Sequence, residues 1–169
     1  MTNEIDEVVI KKAKDKSPFY FQFEQDFIED GIRCIPMIVR FKLDACGIKL
    51  KLSEWSKFSI KERDSLCEMN CDKLAAIDFY RNYLQQLVYK YCGKDATELP
   101  IDPDAEWMHT NDIPFSLQQE LEKYNWRISL LQWRSLSNLK RFSLMKLTRP
   151  GHENRNFPLA IKEFGLAKN

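Results

Sequence analysis

Apolar residues recur along this chain mainly at helical spacing. Plotted as a helix, residues 35–46 put Ile35, Ile38, Val39, Phe41, Leu43, Ala45 and Cys46 on one broad face. Pro36 suits the first turn of such a helix, where the N–H it lacks is not needed, and Gly47 is a natural stop. The run VRFKLDACGIKLKL also alternates with period two, which would make a hairpin turning at Gly47. Pro36 and Gly47 favour the helix. From Asp72 to Cys92 a second pattern, Leu74, Ile77, Leu84, Leu87, Val88 and Tyr91, predicts a long amphipathic helix stopped by Gly93.

Capping signals add further helices. Ser59 with Glu62 opens IKERDSLCEM, and Ser116 with Gln119 opens LQQELEKYN. Trp126 and Trp133 flank a short helix, LKRFSLMKL is another ending before Pro150, and Asn156 caps a last one starting at Phe157 or Pro158 and ending at Gly165. Phe19, Tyr20, Phe21, Phe23 and Phe27 alternate with Glu24, Asp26, Glu29 and Asp30 and read as an extended segment laid across the core. SEWSKF is a turn that Trp55 and Phe58 anchor.

Residues 1–17 carry scattered charge and little apolar content, which predicts a loosely ordered arm ahead of a single domain over 18–169. The expected fold class is all-α: one multi-helix domain with a long acidic loop around Pro100, Pro103, Trp107, Met108 and His109. Loops of that length are often functional or mobile.

Composition agrees with a folded core: 169 residues, 44% hydrophobic and 30% charged. No run is long and apolar enough for a membrane span and the N-terminus lacks a signal-peptide core, so a cytoplasmic location is expected. Five cysteines without a secretion signal point to reduced thiols. Net charge is +1, but its distribution is uneven, with Gly93 to Asn125 strongly acidic and Trp126 to Arg155 strongly basic. The two segments either neutralise each other or present a polarised binding surface.

Candidate chemistry is sparse. Lys42 projects from the apolar face of the first helix, so its ammonium either snorkels to water or is held by a carboxylate or bound anion, while Arg40 and Asp44 can pair opposite. Cys67 and Cys71 are weak metal candidates, since no second matched pair accompanies them, and buried structural thiols are the simpler reading. The richest surface candidate is the turn TRPGHENRN, with Arg149, His152, Glu153, Asn154, Arg155 and Asn156. Its guanidinium forks and amides suit a phosphate or carboxylate; alternatively it is an interhelical corner whose side chains cap backbone groups. With five glycines and no glycine-rich phosphate loop, and with no aromatic platform for nucleic acid, those partners are not expected.

The runs FQFEQDF at 21–27 and RCIPMIVRFKLDACGIKL at 33–50, with Trp55, Arg63 and LKRFSLMKLTRPGHENRNFPLAIKEFG at 139–165, resemble the nitrate reductase associated protein family. That resemblance implies a bacterial protein of nitrate assimilation: a non-catalytic accessory or maturation factor for a molybdenum-cofactor-dependent nitrate reductase. It implies contact with the reductase or a molybdenum-cofactor biosynthesis protein and transfers no catalytic or ligand residues. No cofactor is expected in the chain itself. The alternative expectation is a small enzyme or cofactor-binding protein holding molybdopterin or another phosphorylated ligand at the 148–156 turn.

Overall fold

A computed structural model describes residues 19–167, so the arm expected over 1–17 lies outside the described residues. The described chain is all-α apart from one pair of two-residue strands, and it divides into two compact units between Ile101 and Asp102.

In the first unit a 3-10 turn at Gln22–Glu24 leads into α1 (Gln25–Glu29), α2 (Met37–Cys46), β1 (Ile48–Lys49), α3 (Leu52–Trp55), α4 (Ile60–Glu68), α5 (Leu74–Cys92) and β2 (Thr97–Glu98). The strands are antiparallel, with Ile48 opposite Glu98. The ambiguous central stretch is a helix followed by a short strand. Pro36 is the N-cap residue, and Gly47 ends the helix at φ 68°, its N–H bonded to the Leu43 carbonyl. A side chain at Gly47 would also collide with the strand return, since an added Cβ would lie 2.7 Å from the Leu99 oxygen.

Within the aromatic segment at 19–27 the chain is helical from Gln22 onward rather than extended. The cause is Glu24, only 2% exposed, whose carboxylate accepts from Phe21 N at 3.1 Å and from Met37 N at 2.7 Å. It closes its own turn and satisfies an N-terminal donor of α2. The capping box of Ser59 and Glu62 forms as expected, at 3.2 and 2.8 Å. Trp55 and Phe58 anchor their corner edge to face at 6.0 Å, and the Trp55 indole donates to the Ile32 carbonyl at 2.8 Å. Arg63 then donates to three turn carbonyls, those of Gly31, Trp55 and Ser56.

The long helix α5 buries Tyr80, Leu84, Leu87 and Val88 and is capped by Gly93. Leu74, expected on that face, is 83% exposed. At ~100° per residue it falls about 80° from the centre of the arc of Tyr80, Leu84 and Val88. Tyr80, fully buried, occupies the inward position that an aliphatic count passes over.

The second unit contains a 3-10 turn at Glu106–Met108, α6 (Phe115–Glu122), α7 (Leu130–Ser135), α8 (Asn138–Leu147), a 3-10 turn at His152–Asn156 and α9 (Phe157–Glu163). Its core is built from Leu117, Leu121, Trp133, Phe142, Leu147 and Phe157. Part of the expected acidic loop is tied to this core through its backbone. Trp133 Nε1 donates to His109 O at 2.8 Å, Arg134 Nε to Thr110 O at 2.7 Å and Arg141 Nε to Trp107 O at 2.9 Å. These basic residues of the 126–155 segment therefore meet loop carbonyls.

Local readings need correction in this unit. The helix at 115–122 starts with Pro114 as N-cap and no side-chain cap, so the Ser116 and Gln119 box does not form; Ser116 Oγ is buried without a hydrogen-bond partner. A box forms instead between Ser129 and Gln132 at α7, and Trp133 sits inside that helix rather than flanking it. Asn156 precedes α9 but is already in the αR conformation after the 3-10 turn, so its side chain makes no cap.

Candidate functional site

The TRPGHENRN corner separates into structural and surface residues. Asn154 Nδ2 donates to Glu120 Oε1 and to the Leu147 carbonyl, both at 2.9 Å. Glu120, 3% exposed, accepts Lys123 on its other oxygen at 2.6 Å. One amide thus ties α6 to the last carbonyl of α8, an acceptor that the helix itself leaves open. Arg149, His152 and Arg155 are exposed, and Glu153 and Asn156 half-buried.

Lys42 has a different fate from either one weighed for it. Its side chain, 7% exposed, carries the ammonium to the C-terminal end of α4, donating to Cys67 O at 2.6 Å and Leu66 O at 3.4 Å and lying 5.7 Å from the Tyr80 ring centre. A cation there complements the helix dipole and fills an orphan carbonyl. Burial lowers its pKa, with the neighbouring Cys67 and Cys71 thiols acting the other way. Tyr80 donates to the same Leu66 carbonyl at 3.0 Å. Arg40 Nε donates to Ile35 O at 3.0 Å, and Asp44 is exposed.

The thiols near Lys42 are held in their protonated form. Burial pushes Cys46 and Cys67 up to about 12 and raises Cys71, whereas a nucleophile or metal ligand needs the thiolate. Cys71 Sγ sits 3.9 Å from the Lys42 carbonyl. Among the described residues no group of three or more His, Cys, Asp or Glu is placed to hold a metal ion.

A concave site lies elsewhere in the second unit, away from the 148–156 corner. It is a cleft of about 420 Å³ lined by Ile113, Leu121, Trp126, Ile128 and Leu130, with Asp112, Gln118, Glu122 and Arg127 as its polar residues. The cleft follows from how the chain reverses after α6. Asn125 takes a left-handed φ of 56°, and Trp126 N then bonds back to Leu121 O at 3.0 Å. Trp126 stacks on Tyr124 with centroids 5.0 Å apart, and Tyr124 stacks on the buried Phe157 at 6.0 Å. The indole is therefore braced from the core. Gln118 Nε2 fixes the Ile113 carbonyl at 2.7 Å, and Leu121, 2% exposed, belongs to the same wall. An aromatic and aliphatic lining with charges of both signs suits a bulky apolar side chain with polar neighbours.

Charge patterning marks Asp112 and Arg127 only as parts of the acidic and basic segments, and periodicity marks Trp126 only as the flank of a short helix. A usable signal was present: the sign change at 125–126 coincides with the turn between two helices.

The family model for conserved nitrate reductase-associated proteins (Nitr_red_assoc) matches residues 20–164. The chain belongs to that family. No curated protein matches the chain, and neither does any solved structure. The family match takes in Glu24, Lys42, Asn154 and every residue of the cleft. No helix of the described residues is long and apolar enough to cross a membrane.

Proposed function

We infer that this nitrate reductase-associated protein is an accessory or maturation factor for a molybdenum-cofactor-dependent assimilatory nitrate reductase, acting by protein contact rather than catalysis. The observation that carries this reading is the braced Trp126 cleft of the second unit, about 420 Å³ with Asp112, Glu122 and Arg127 beside its apolar lining. A partner segment places a bulky apolar side chain against Trp126 and Leu121 and matches the charges around it. The family name supports the reductase as the source of that segment, and a molybdenum-cofactor biosynthesis protein is the other partner consistent with the reading.

Direct binding between purified reductase and this protein at low salt tests the idea. Trp126→Ala and Arg127→Glu should each weaken association, the former by roughly 30-fold if Trp126 is a hot spot worth ~2 kcal/mol. No association at low salt overturns the contact reading, and unchanged binding by both variants removes the cleft from it. In cells lacking the gene, reductase activity, reductase protein and molybdenum content are measured together: metal-poor enzyme points to cofactor delivery, metal-loaded inactive enzyme to a later step.

The exposure of Arg149 and Arg155 at one corner favours a second reading, in which they hold molybdopterin or another phosphorylated ligand. Arg149→Ala with Arg155→Ala would then abolish ligand binding with the fold intact.

A further inference from the structure

The outward face of α5 has a pattern that a solvated helix does not need. Ala75, Phe79, Asn82, Gln86 and Tyr89 are all exposed, Phe79 by 66% and Tyr89 by 61%. Their spacing alternates four and three residues, the period of a coiled-coil seam. At ~100° per residue they fall within an arc of about 80°, on the side of the helix away from Tyr80, Leu84, Leu87 and Val88. None of the five is charged, whereas Asp78 and Lys90 lie just outside the stripe. Lys90 is already paired with Glu62 at 3.0 Å, so the seam is left to uncharged side chains.

We propose that this face is a self-association surface, on which a second copy of the chain packs its α5 antiparallel across a two-fold axis at the level of Leu84. The stripe is self-complementary in that register. Phe79 meets the second copy's Tyr89, Asn82 meets its Gln86, and each pair occurs twice by symmetry. Two aromatic pairs thus close the ends of the seam, and two amide pairs, each able to donate and accept, fill its centre. A parallel arrangement would stack each amide and aromatic on its own copy and leave Ala75 against Ala75. The large residues then gain no small-for-large or amide-to-amide match.

A shallow groove on the C-terminal half of this face, lined by the seam residues Asn82, Gln86 and Tyr89 with Gln85, Lys90 and Asp95 at its edges, gives the incoming helix a place to settle. The 19-residue α5 is about 28 Å long at ~1.5 Å per residue. One such seam buries less than the ~800 Å² per partner of a standard interface. The dimer is therefore weak and forms in the micromolar range. Because the seam residues themselves are uncharged and Lys90 at its edge is already paired with Glu62, the contact depends little on salt.

Sedimentation velocity of the full chain from about 1 to 300 μM tests the proposal, in low salt and again in high salt. The expected result is a shift from one to two chain masses with rising concentration, at similar midpoints in both salts. Phe79→Lys and Tyr89→Glu should each raise the dimer dissociation constant at least tenfold. The double variant Phe79→Lys with Tyr89→Glu should recover the dimer, because the antiparallel register sets each lysine against a glutamate. Both side chains are exposed, so circular dichroism and melting should match the parent. A chain that stays monomeric throughout overturns the proposal, as does a dimer indifferent to Phe79→Lys. Single variants that lose the dimer while the double does not regain it overturn the antiparallel register.

Discussion

Replacing Lys42 by Met probes the least expected feature of the first unit, an ammonium in the core. The side chains are similar in length, so the change removes the charge and its hydrogen bonds with little change in packing. The bonds lost are those to Cys67 O at 2.6 Å and Leu66 O at 3.4 Å. Leu66 O keeps the Tyr80 hydroxyl at 3.0 Å, so the main deficit is the Cys67 carbonyl. An orphaned buried carbonyl costs ~1–3 kcal/mol, and the lost cation at a helix C-terminus adds ~0.3–1 kcal/mol. Against this stands the relief of desolvating a charge, whose reality is marked by the lowered pKa. The deficit outweighs the relief, because the cation already sits on its acceptors, and Lys42→Met should lose about 1–2 kcal/mol at pH 7.

The pH dependence supplies a second, independent sign. Lys42 titrates below its ordinary 10.5 in the folded protein, mainly because it is buried. Between the folded value and 10.5 the unfolded chain holds more protons, so stability rises with pH there, by at most ~1.4 kcal/mol per unit. The term is fully present above 10.5 and lost as pH falls through the folded value. The buried thiols Cys46 and Cys67, raised from 9.0 to about 12, act oppositely above pH 9, so the comparison belongs below it. Urea unfolding of parent and Lys42→Met between pH 7 and 9 should show the parent's advantage constant or growing with pH. A variant as stable as the parent at pH 7 refutes the capping argument, and an advantage that shrinks toward pH 9 refutes the lowering of the Lys42 pKa by burial.

Other expectations follow from local geometry. Gly47→Ala places a Cβ 2.7 Å from the Leu99 oxygen at φ 68°, whereas Gly93→Ala, at φ 69°, meets nothing within 4 Å. Thermal melts should therefore show Gly93→Ala losing ~1 kcal/mol and Gly47→Ala clearly more, ~2–4 kcal/mol; equal losses would mean the strand return moves freely. Asn154→Ala leaves Glu120 Oε1 and the Leu147 carbonyl short of a donor, and should cost ~1–3 kcal/mol in chemical denaturation. Arg149→Ala at the same turn is exposed and should stay within ~0.5 kcal/mol.

The elements with a local cause were legible. Gly93 ends α5, Gly47 ends α2 and the Ser59 and Glu62 box opens α4, because each depends on side chains within one turn of the backbone they satisfy. The Ser116 and Gln119 box failed where a rival start, Pro114, lay nearby. The candidate sites fared less evenly. GHENRN was picked out by its polar side chains, and its central amide is occupied in holding α6 to α8. The cleft escaped notice because its lining is ordinary apolar sequence.

By itself, then, the sequence determined an all-α chain, its main helices and stops, and, through the motifs shared with it, membership of the nitrate reductase-associated family. Periodicity and capping are short-range effects, so one strand of text carries them. The tertiary structure alone decided that Lys42 caps a helix 24 and 25 residues away, that Glu24 reaches Met37 and that Trp126 is braced over a cleft. Each depends on which distant carbonyl, amide or ring the fold brings within a few ångströms, and a buried charge persists only where such a partner is supplied.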